Sequence, residues 1–447
     1  MSKVLVLGAG FVAHPLVEYI LAQQDTYVTV ASLYLQDAQK LIHKHPNGSA
    51  IQLNVDDDNA LNAAVAQTDI VVSLLPWTFH LKVAKICLTH KKHMVTASYV
   101  KPEMQALHTD AKKNGVLFLN EIGVDPGIDH MAAMRVIHDV KARGGQIIKF
   151  FSYCGGLPAP AHNNNPLGYK FSWSPSGVML AAGNNGRYLQ NGNAVEIPGE
   201  HLFEHYWLVD IPGAGTFEAY VNRDALPYID IYDIPTVKSM YRGTLRNIGH
   251  CESWQYFKKL GLLNRAEQFD FSKLSTADTI ALLIGSTGKD LIYDVAAFLG
   301  IPVWCVTIKK LHWLGLLDET DIPLQTGTTF DMFAYILQQK LVYQPGEVDL
   351  LLQHHEFIAD YNNGTQECIT STLIDFGIPN GDSSMARTVG LPAAIATKLI
   401  LERKINLTGV HIPVHAQIYE PVLQELESYN IKLTERRKDC SESNSDF

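Results

Sequence analysis

The chain has 447 residues, more than one ordinary core organises and enough for two or three domains at roughly 150 residues each. Hydrophobic residues make up 47% and charged residues 18%, a globular balance without an apolar run long enough to span a bilayer, so no membrane partner is expected. A formal charge of -10 excludes a general nucleic-acid binder, which needs a basic face; the one basic cluster, Arg436, Arg437 and Lys438, reads as a frayed, solvated tail.

The first 125 residues alternate short apolar runs (3–7, 27–31, 50–55, 70–75, 93–97, 116–119) with segments such as 12–23, 35–43 and 81–90 whose apolar residues fall at helical spacing. This βαβ rhythm predicts α/β architecture: a Rossmann-type, doubly wound parallel sheet. The first strand runs into Gly8-Ala9-Gly10-Phe11-Val12-Ala13, which opens a helix. Gly8 permits the tight turn, Gly10 lets backbone approach a pyrophosphate, and the helix start around Phe11 and Val12 offers unpaired amides to phosphates, the pattern of an NAD or NADP site.

Strand two closes on Ser32 and Leu33, with neither the acidic residue typical of NAD sites nor the cation typical of NADP sites; the missing cation tips the reading slightly toward NAD. Leu75 and Pro76 fall where the chain crosses the carboxyl edge, beside the expected nicotinamide ribose. Asp56 either reaches the adenine side or belongs to a solvated acidic turn, Asp56 to Asp58.

Beyond Asp125-Pro126-Gly127 the strands become rich in Tyr, Phe and Trp, and the stretch 155–168, dense in Asn, Pro and Gly, is expected to be irregular and functional. Residues 252–319 read as mostly helical, with near-echoes at Leu260-Gly261-Leu262-Leu263 and Leu314-Gly315-Leu316-Leu317. Helical segments 392–403 and 418–429 return the C-terminus to the first domain. The six cysteines (87, 154, 251, 305, 368, 440) show no metal-ligand or redox spacing, so no metal and no disulfide framework are expected. With strand one beginning just after Met1, no signal peptide is expected, and reduced thiols in a cytoplasmic protein are the default expectation.

Four segments are dense in residues that bind rather than pack: Thr96-Ala97-Ser98-Tyr99, the run from Glu121 to His130, Ser152 to Pro160, and Asn163 to Pro175. With Asn222-Arg223-Asp224, Arg242 to Arg246 and Met385 to Pro392, they resemble the saccharopine dehydrogenases of the glutamate-forming type over nearly the whole chain.

That resemblance implies three parts: residues 1–125 plus about 386–447 binding the dinucleotide, 126–250 plus about 335–385 binding substrate and mediating a homodimer, and a small helical domain at 251–334. It implies reversible interconversion of saccharopine with glutamate and 2-aminoadipate 6-semialdehyde. Ala97, Ser98, Val124 and Pro126 are implied to border the cofactor. A substrate with three carboxylates calls for bidentate cations. Arg223 and Arg246 stand in the family's substrate motifs, with Ser98, Tyr99, Thr244 and Leu245 alongside and Asp125 holding the substrate nitrogen. Asp125, Tyr99 and Cys154 are the proton-transfer candidates, whereas His130, at a helix start, reads better as structural. NADP-using members carry Arg where this chain has Leu33. The alternatives are an imine-reducing or amine-oxidising relative of the carboxynorspermidine synthase or lysine 6-dehydrogenase type, or a non-catalytic cofactor sensor.

Overall fold

The computed structural model describes residues 1–440. In chain order its first elements are β1 (Ser2–Leu7), α1 (Ala13–Leu21), β2 (Thr26–Ser32), α2 (Leu35–Ile42), β3 (Gly48–Gln52) and α3 (Asp58–Ala66). Then come β4 (Ile70–Ser73), α4 (His80–Thr89), β5 (His93–Val95), α5 (Pro102–Gln105), α6 (His108–Lys113), β6 (Leu117–Leu119) and α7 (Ile128–Ala142). The middle of the chain forms β7 (Gly145–Pro158), α8 (Pro175–Ala181), β8 (Gly186–Gln190), β9 (Asn193–Ile197), β10 (Tyr206–Ile211), β11 (Gly215–Val221), α9 (Pro227–Ile231) and β12 (Ser239–Arg246). A helical stretch follows: α10 (His250–Lys259), β13 (Phe269–Asp270), α11 (Thr276–Ile284), α12 (Leu291–Leu299), α13 (Val306–Trp313), β14 (Thr326–Gly327) and α14 (Thr329–Lys340). The chain closes with β15 (Asp349–Tyr361), β16 (Gln366–Phe376), α15 (Ser384–Leu401), β17 (Gly409–His411), α16 (Ala416–Ser428) and β18 (Thr434–Asp439).

These elements form two compact units, the first comprising residues 1–152, 228–237 and those from 353 onward, the second 153–227 and 238–352. The first unit carries a seven-stranded sheet ordered β17-β6-β5-β4-β1-β2-β3, parallel throughout. Val4 to Leu7 are all at most 1% exposed, as a central strand covered on both faces requires, which is why the run shows no polar alternation. The order turns back at β1 and β4, the switch point where open α/β sheets bind ligands at the carboxyl ends of their strands.

The C-terminus completes this unit: β17 extends the sheet beside β6, and α15 packs on α1. Contact there is close enough that a Cβ on Gly390 would lie 2.8 Å from the Val12 carbonyl oxygen. Fifteen of the eighteen residues of α15 are buried, so it has no polar face to reveal its period. It begins at Ser384, with Pro392 inside it, rather than at residue 392: the Ser383 side chain caps it, and Arg387 is held by Asp375 at 3.0 Å. The near-echo of the sequence is a repeated helix ending, in which Gly261 (φ 78) and Gly315 (φ 79) turn left-handed after α10 and α13.

A second, mixed sheet has the order β10-β11-β12-β7-β15-β16-β18, with β8 pairing β12 and β9. Three expectations are corrected here. Strand β7 continues to Pro158, so residues 155–158 are regular: Gly155 lies so near Leu245 that a Cβ would sit 2.7 Å from its carbonyl oxygen. Arg436, Arg437 and Lys438 are not a frayed tail but part of β18, paired antiparallel with β16, and Arg437 reaches Asp139 at 2.7 Å. The same ladder brings together cysteines 72 residues apart, and Cys368 forms a disulfide with Cys440. Separation along the chain hid a partnership that strand pairing creates.

Closing a loop of that length restricts the unfolded chain by about 4 kcal/mol in the chain-entropy account. Thiol titration of the unreduced, denatured protein is expected to find four reactive groups, Cys87, Cys154, Cys251 and Cys305, and reduction is expected to lower the melting temperature. Six reactive thiols before reduction contradict the pairing.

Candidate active site

At the end of β1 the chain turns through Gly8 (φ +106), whose amide donates to the Ala31 carbonyl at 2.9 Å. A side chain there would press on the Leu74 carbonyl at 3.2 Å, so glycine meets both a conformational and a steric demand. Gly10 is different: a Cβ would meet nothing within 4 Å, so the backbone faces open space at the start of α1. The N-terminus of α1, entered through Val12, has no side-chain cap, leaving amides for an anion.

Just beyond the carboxyl ends of β1, β2 and β4 come four exposed apolar side chains, Phe11 (67%), Leu33 (51%), Tyr34 (68%) and Trp77 (60%), with Lys101 Nζ 5.1 Å from the Trp77 ring centre. A glycine cradle, an uncapped helix start and exposed flat side chains at a sheet's carboxyl edge fit a dinucleotide. Ser32 closes β2 and accepts from the Tyr34 amide, while the Gln52 side chain donates to the Leu33 carbonyl. Leu75 packs partly on the core and Pro76 is exposed. Asp56 is exposed beyond β3; of its neighbours, Asp57 caps α3 and Asp58 pairs with Lys82 at 2.5 Å.

Beyond β5 and β6, two loops are knotted together. Glu121, 4% exposed with φ 57, accepts from the Val100 amide at 2.9 Å and meets His130 Nε2 at 2.8 Å and the Tyr228 hydroxyl at 3.2 Å. His130, fully buried in the first turn of α7, contacts the Tyr232 hydroxyl through Nδ1 at 2.5 Å. Gly123 and Gly127 make the turn between them possible: a Cβ on Gly127 (φ +147) would fall 2.0 Å from the Gly123 carbonyl oxygen. Val124 and Pro126 are buried within this turn, and Ala97 packs beside Gly123. The knot presents Tyr99 and Asp125 together, the Tyr99 hydroxyl donating to Asp125 Oδ1 at 3.0 Å.

Beside it runs a polar chain, largely buried, whose centre, His80, the sequence reading did not single out. Ser73 Oγ lies 3.0 Å from His80 Nδ1, and His80 Nε2 lies 2.7 Å from Ser98 Oγ and 3.3 Å from Thr96 Oγ1. Burial lowers the His80 pKa to about 4, so the ring is neutral near pH 7. No local signal marked it, since the residue opens an apolar helix and its partners come from two different strands.

In the second unit, β12 carries Thr244, Leu245 and Arg246 in register with Tyr220, Ala219 and Glu218 of β11. Alternation puts Thr244 and Arg246 on one face and buries Leu245 on the other. Arg246 is only 6% exposed; its guanidinium lies 5.0 Å from the Tyr169 ring centre and 6.0 Å from that of Tyr220. One amino group donates to the Leu245 carbonyl at 2.8 Å, and Nε is buried without a hydrogen-bond partner among the described residues. Glu218, on the same face, is occupied by the Gly249 and Cys251 amides at the start of α10. Cys154 is buried on β7. Arg223 is exposed and sits at φ 62, its carbonyl accepting from the Arg187 amide at 2.9 Å.

The fold and its glycine cradle define a dinucleotide-binding protein of the doubly wound α/β class. Residues 4–119 match the family described as Saccharopine dehydrogenase NADP binding domain, and residues 123–431 match Saccharopine dehydrogenase C-terminal domain. A Schizosaccharomyces pombe protein named saccharopine dehydrogenase (NADP(+), L-glutamate-forming) is 39% identical, covering 97% of this chain and 99% of its own length. The apo saccharopine dehydrogenase (L-Glu forming) structure of Saccharomyces cerevisiae superposes with a TM-score of 0.90 at 37% identity, covering 98% of this chain and 100% of that one. An Arabidopsis thaliana alpha-aminoadipic semialdehyde synthase is 38% identical over 97% of this chain, which spans 45% of that longer protein. The chain belongs to the saccharopine dehydrogenase family. The lean toward NAD drawn from position 33 gains no support, because the matched domain is described as NADP-binding and the S. pombe relative is named for NADP(+).

Two outcomes follow from the first unit. Gly10→Ala is expected to lower NADP affinity at least tenfold, about 1.4 kcal/mol, without lowering the melting temperature, since its Cβ meets no protein atom. Unchanged affinity in a nucleotide titration places the pyrophosphate elsewhere. For His80, whose folded pKa lies below its unfolded value of 6.5, the unfolded chain gains the proton first as pH falls. Stability is therefore lost between pH 6.5 and about 4, by about 3 kcal/mol from this group. Denaturant melts of His80→Asn are expected to show a shallower decline than wild type across that window.

Proposed function

We propose that this chain interconverts saccharopine with L-glutamate and 2-aminoadipate 6-semialdehyde, using NADP(H). The observation that carries this reading is the end-to-end match to the S. pombe L-glutamate-forming enzyme, 97% of one chain on 99% of the other. NADP(H) supplies the hydride acceptor or donor, and the amides at the start of α1 would hold its pyrophosphate.

The protein's own groups bind, orient and move protons. Asp125, beside the Tyr99 hydroxyl, takes the proton from the substrate's secondary ammonium, so that the nitrogen lone pair is available as hydride leaves the adjacent carbon. Ser98, Thr244, Arg223 and Arg246 bind the carboxylates. A buried guanidinium backed by two tyrosines, with Nε unpartnered among the described residues, is suited to a carboxylate, which restores charge balance where water is scarce. Cys154, buried on β7, is the further candidate for proton transfer beside Asp125 and Tyr99. The helices within 251–334 form a lobe of the second unit, and the assembly is a homodimer.

The reaction is tested by following nicotinamide absorbance with saccharopine and NADP or NAD in parallel and identifying glutamate as product. A kcat/KM at least tenfold higher with NADP is expected; parity overturns the cofactor assignment, and no turnover with either overturns the substrate. Leu33→Arg is expected to raise the NADP preference further. Arg246→Lys, which keeps charge but loses the planar fork, is expected to cost about 2 kcal/mol in saccharopine kcat/KM with little change in cofactor affinity.

A further inference from the structure

Of the four side chains in the Ser73–His80–Thr96–Ser98 chain, Ser73 and Thr96 are 1% exposed and His80 is 5% exposed, while Ser98 is half-buried at the loop surface. A buried hydroxyl must spend its proton on something, and for Ser73 the neighbour is His80 Nδ1 at 3.0 Å. The Ser73 and Thr96 hydroxyls compete to donate to the ring; with the nearer one, Ser73 at 3.0 Å against 3.3 Å for Thr96, donating to Nδ1, Nε2 is the N–H of the neutral ring. It faces two oxygens, Ser98 Oγ at 2.7 Å and Thr96 Oγ1 at 3.3 Å, so one forked N–H serves both. Thr96 Oγ1 also accepts the Ser98 amide at 3.3 Å, which fixes the serine backbone to the same support. With its oxygen lone pair engaged from behind, the Ser98 hydroxyl has its proton turned outward.

From this geometry we propose that His80 is a positioning residue for the reaction: in its Nε2–H form it holds Ser98 as a hydrogen-bond donor toward a substrate carboxylate. The opposite tautomer, Nδ1–H, accepts the Ser98 proton and turns a lone pair toward the ligand, which repels a carboxylate. A ring fixed by Ser73 thus sets whether the neighbouring serine attracts or opposes an acid. This inference rests on the reading of the chain as a saccharopine enzyme with Ser98 against the substrate.

The test is a set of variants of the full-length protein assayed with saccharopine and NADP: His80→Leu, His80→Gln, Ser98→Ala and the double Ser98→Ala/His80→Leu. His80→Leu is expected to raise the saccharopine KM about tenfold and to leave the NADP KM within about twofold, the scale of one misdirected hydrogen bond. Gln can place its amide N–H near the site of Nε2, so His80→Gln is expected to recover most of the loss. Ser98→Ala is expected to raise the KM similarly, and adding His80→Leu to it to change the KM by less than about twofold. An equal tenfold loss in both backgrounds, or equal loss of both affinities together with a lowered melting temperature, overturns the positioning role and leaves a packing role. A wild-type KM for Ser98→Ala overturns the placement of Ser98, and with it the proposal. Nitrogen-15 shifts of the His80 ring report the tautomer without turnover: Nε2–H at pH 7 supports the proposal even if the substrate assignment fails, and Nδ1–H refutes it even if the assignment holds.

Discussion

Glu121 is a carboxylate that water barely reaches, and a charge so placed is tolerable only if the protein supplies nearly all of its hydrogen bonds. It receives the Val100 amide on one oxygen and the Tyr228 hydroxyl and the His130 ring on the other. The residue also adopts a left-handed backbone, a local cost that persists where surroundings determine the conformation. Two loops from adjacent strands are thereby tied to one point, and Ser98, Tyr99 and Asp125 keep fixed places along them.

This tie explains how irregular backbone at the carboxyl edge of a sheet can serve as precise machinery. Loops ordinarily move more than the elements they join. Here the segment from Thr96 to Val100 is fixed to the neighbouring turn by main-chain bonds between Glu121 and Ser98 and between Ile122 and Thr96, besides the carboxylate itself. The glycines at 123 and 127 let that turn fold on itself more tightly than any residue with a side chain allows. Rigidity at one end of the sheet contrasts with the open backbone at Gly10, where space is left for a ligand.

The parallel sheet was legible because its strands are buried on both faces and read as apolar runs, and because the glycine turn of residues 8–10 has a backbone requirement that only certain residues meet. Boundaries shifted by one to three residues where strands fray into loops, as at the end of β3. Other features escaped for an identifiable reason, namely that they exist only once distant segments meet. The disulfide depends on the pairing of β16 with β18, and the His80 chain on β4 and β5 lying side by side. Gly155 looked like part of a loop because glycine is rare in strands, but it is required there by the approach of Leu245. The run from Met385 to Pro392 reads as part of a family resemblance, and what that does not show is the buried pairing of its Arg387 with Asp375.

The backbone passes from one compact unit to the other four times, after residues 152, 227, 237 and 352. The brief return at 228–237 delivers Tyr228 and Tyr232 to the Glu121–His130 knot in the middle of an excursion otherwise devoted to the second unit. Such interleaving makes the polypeptide indivisible in an evolutionary sense. Neither unit can be copied, lost or exchanged as one continuous stretch of gene without cutting the other, so recombination has only the whole to work with. The longer plant relative fits that constraint: 97% of this sequence matches within it, as 45% of its length.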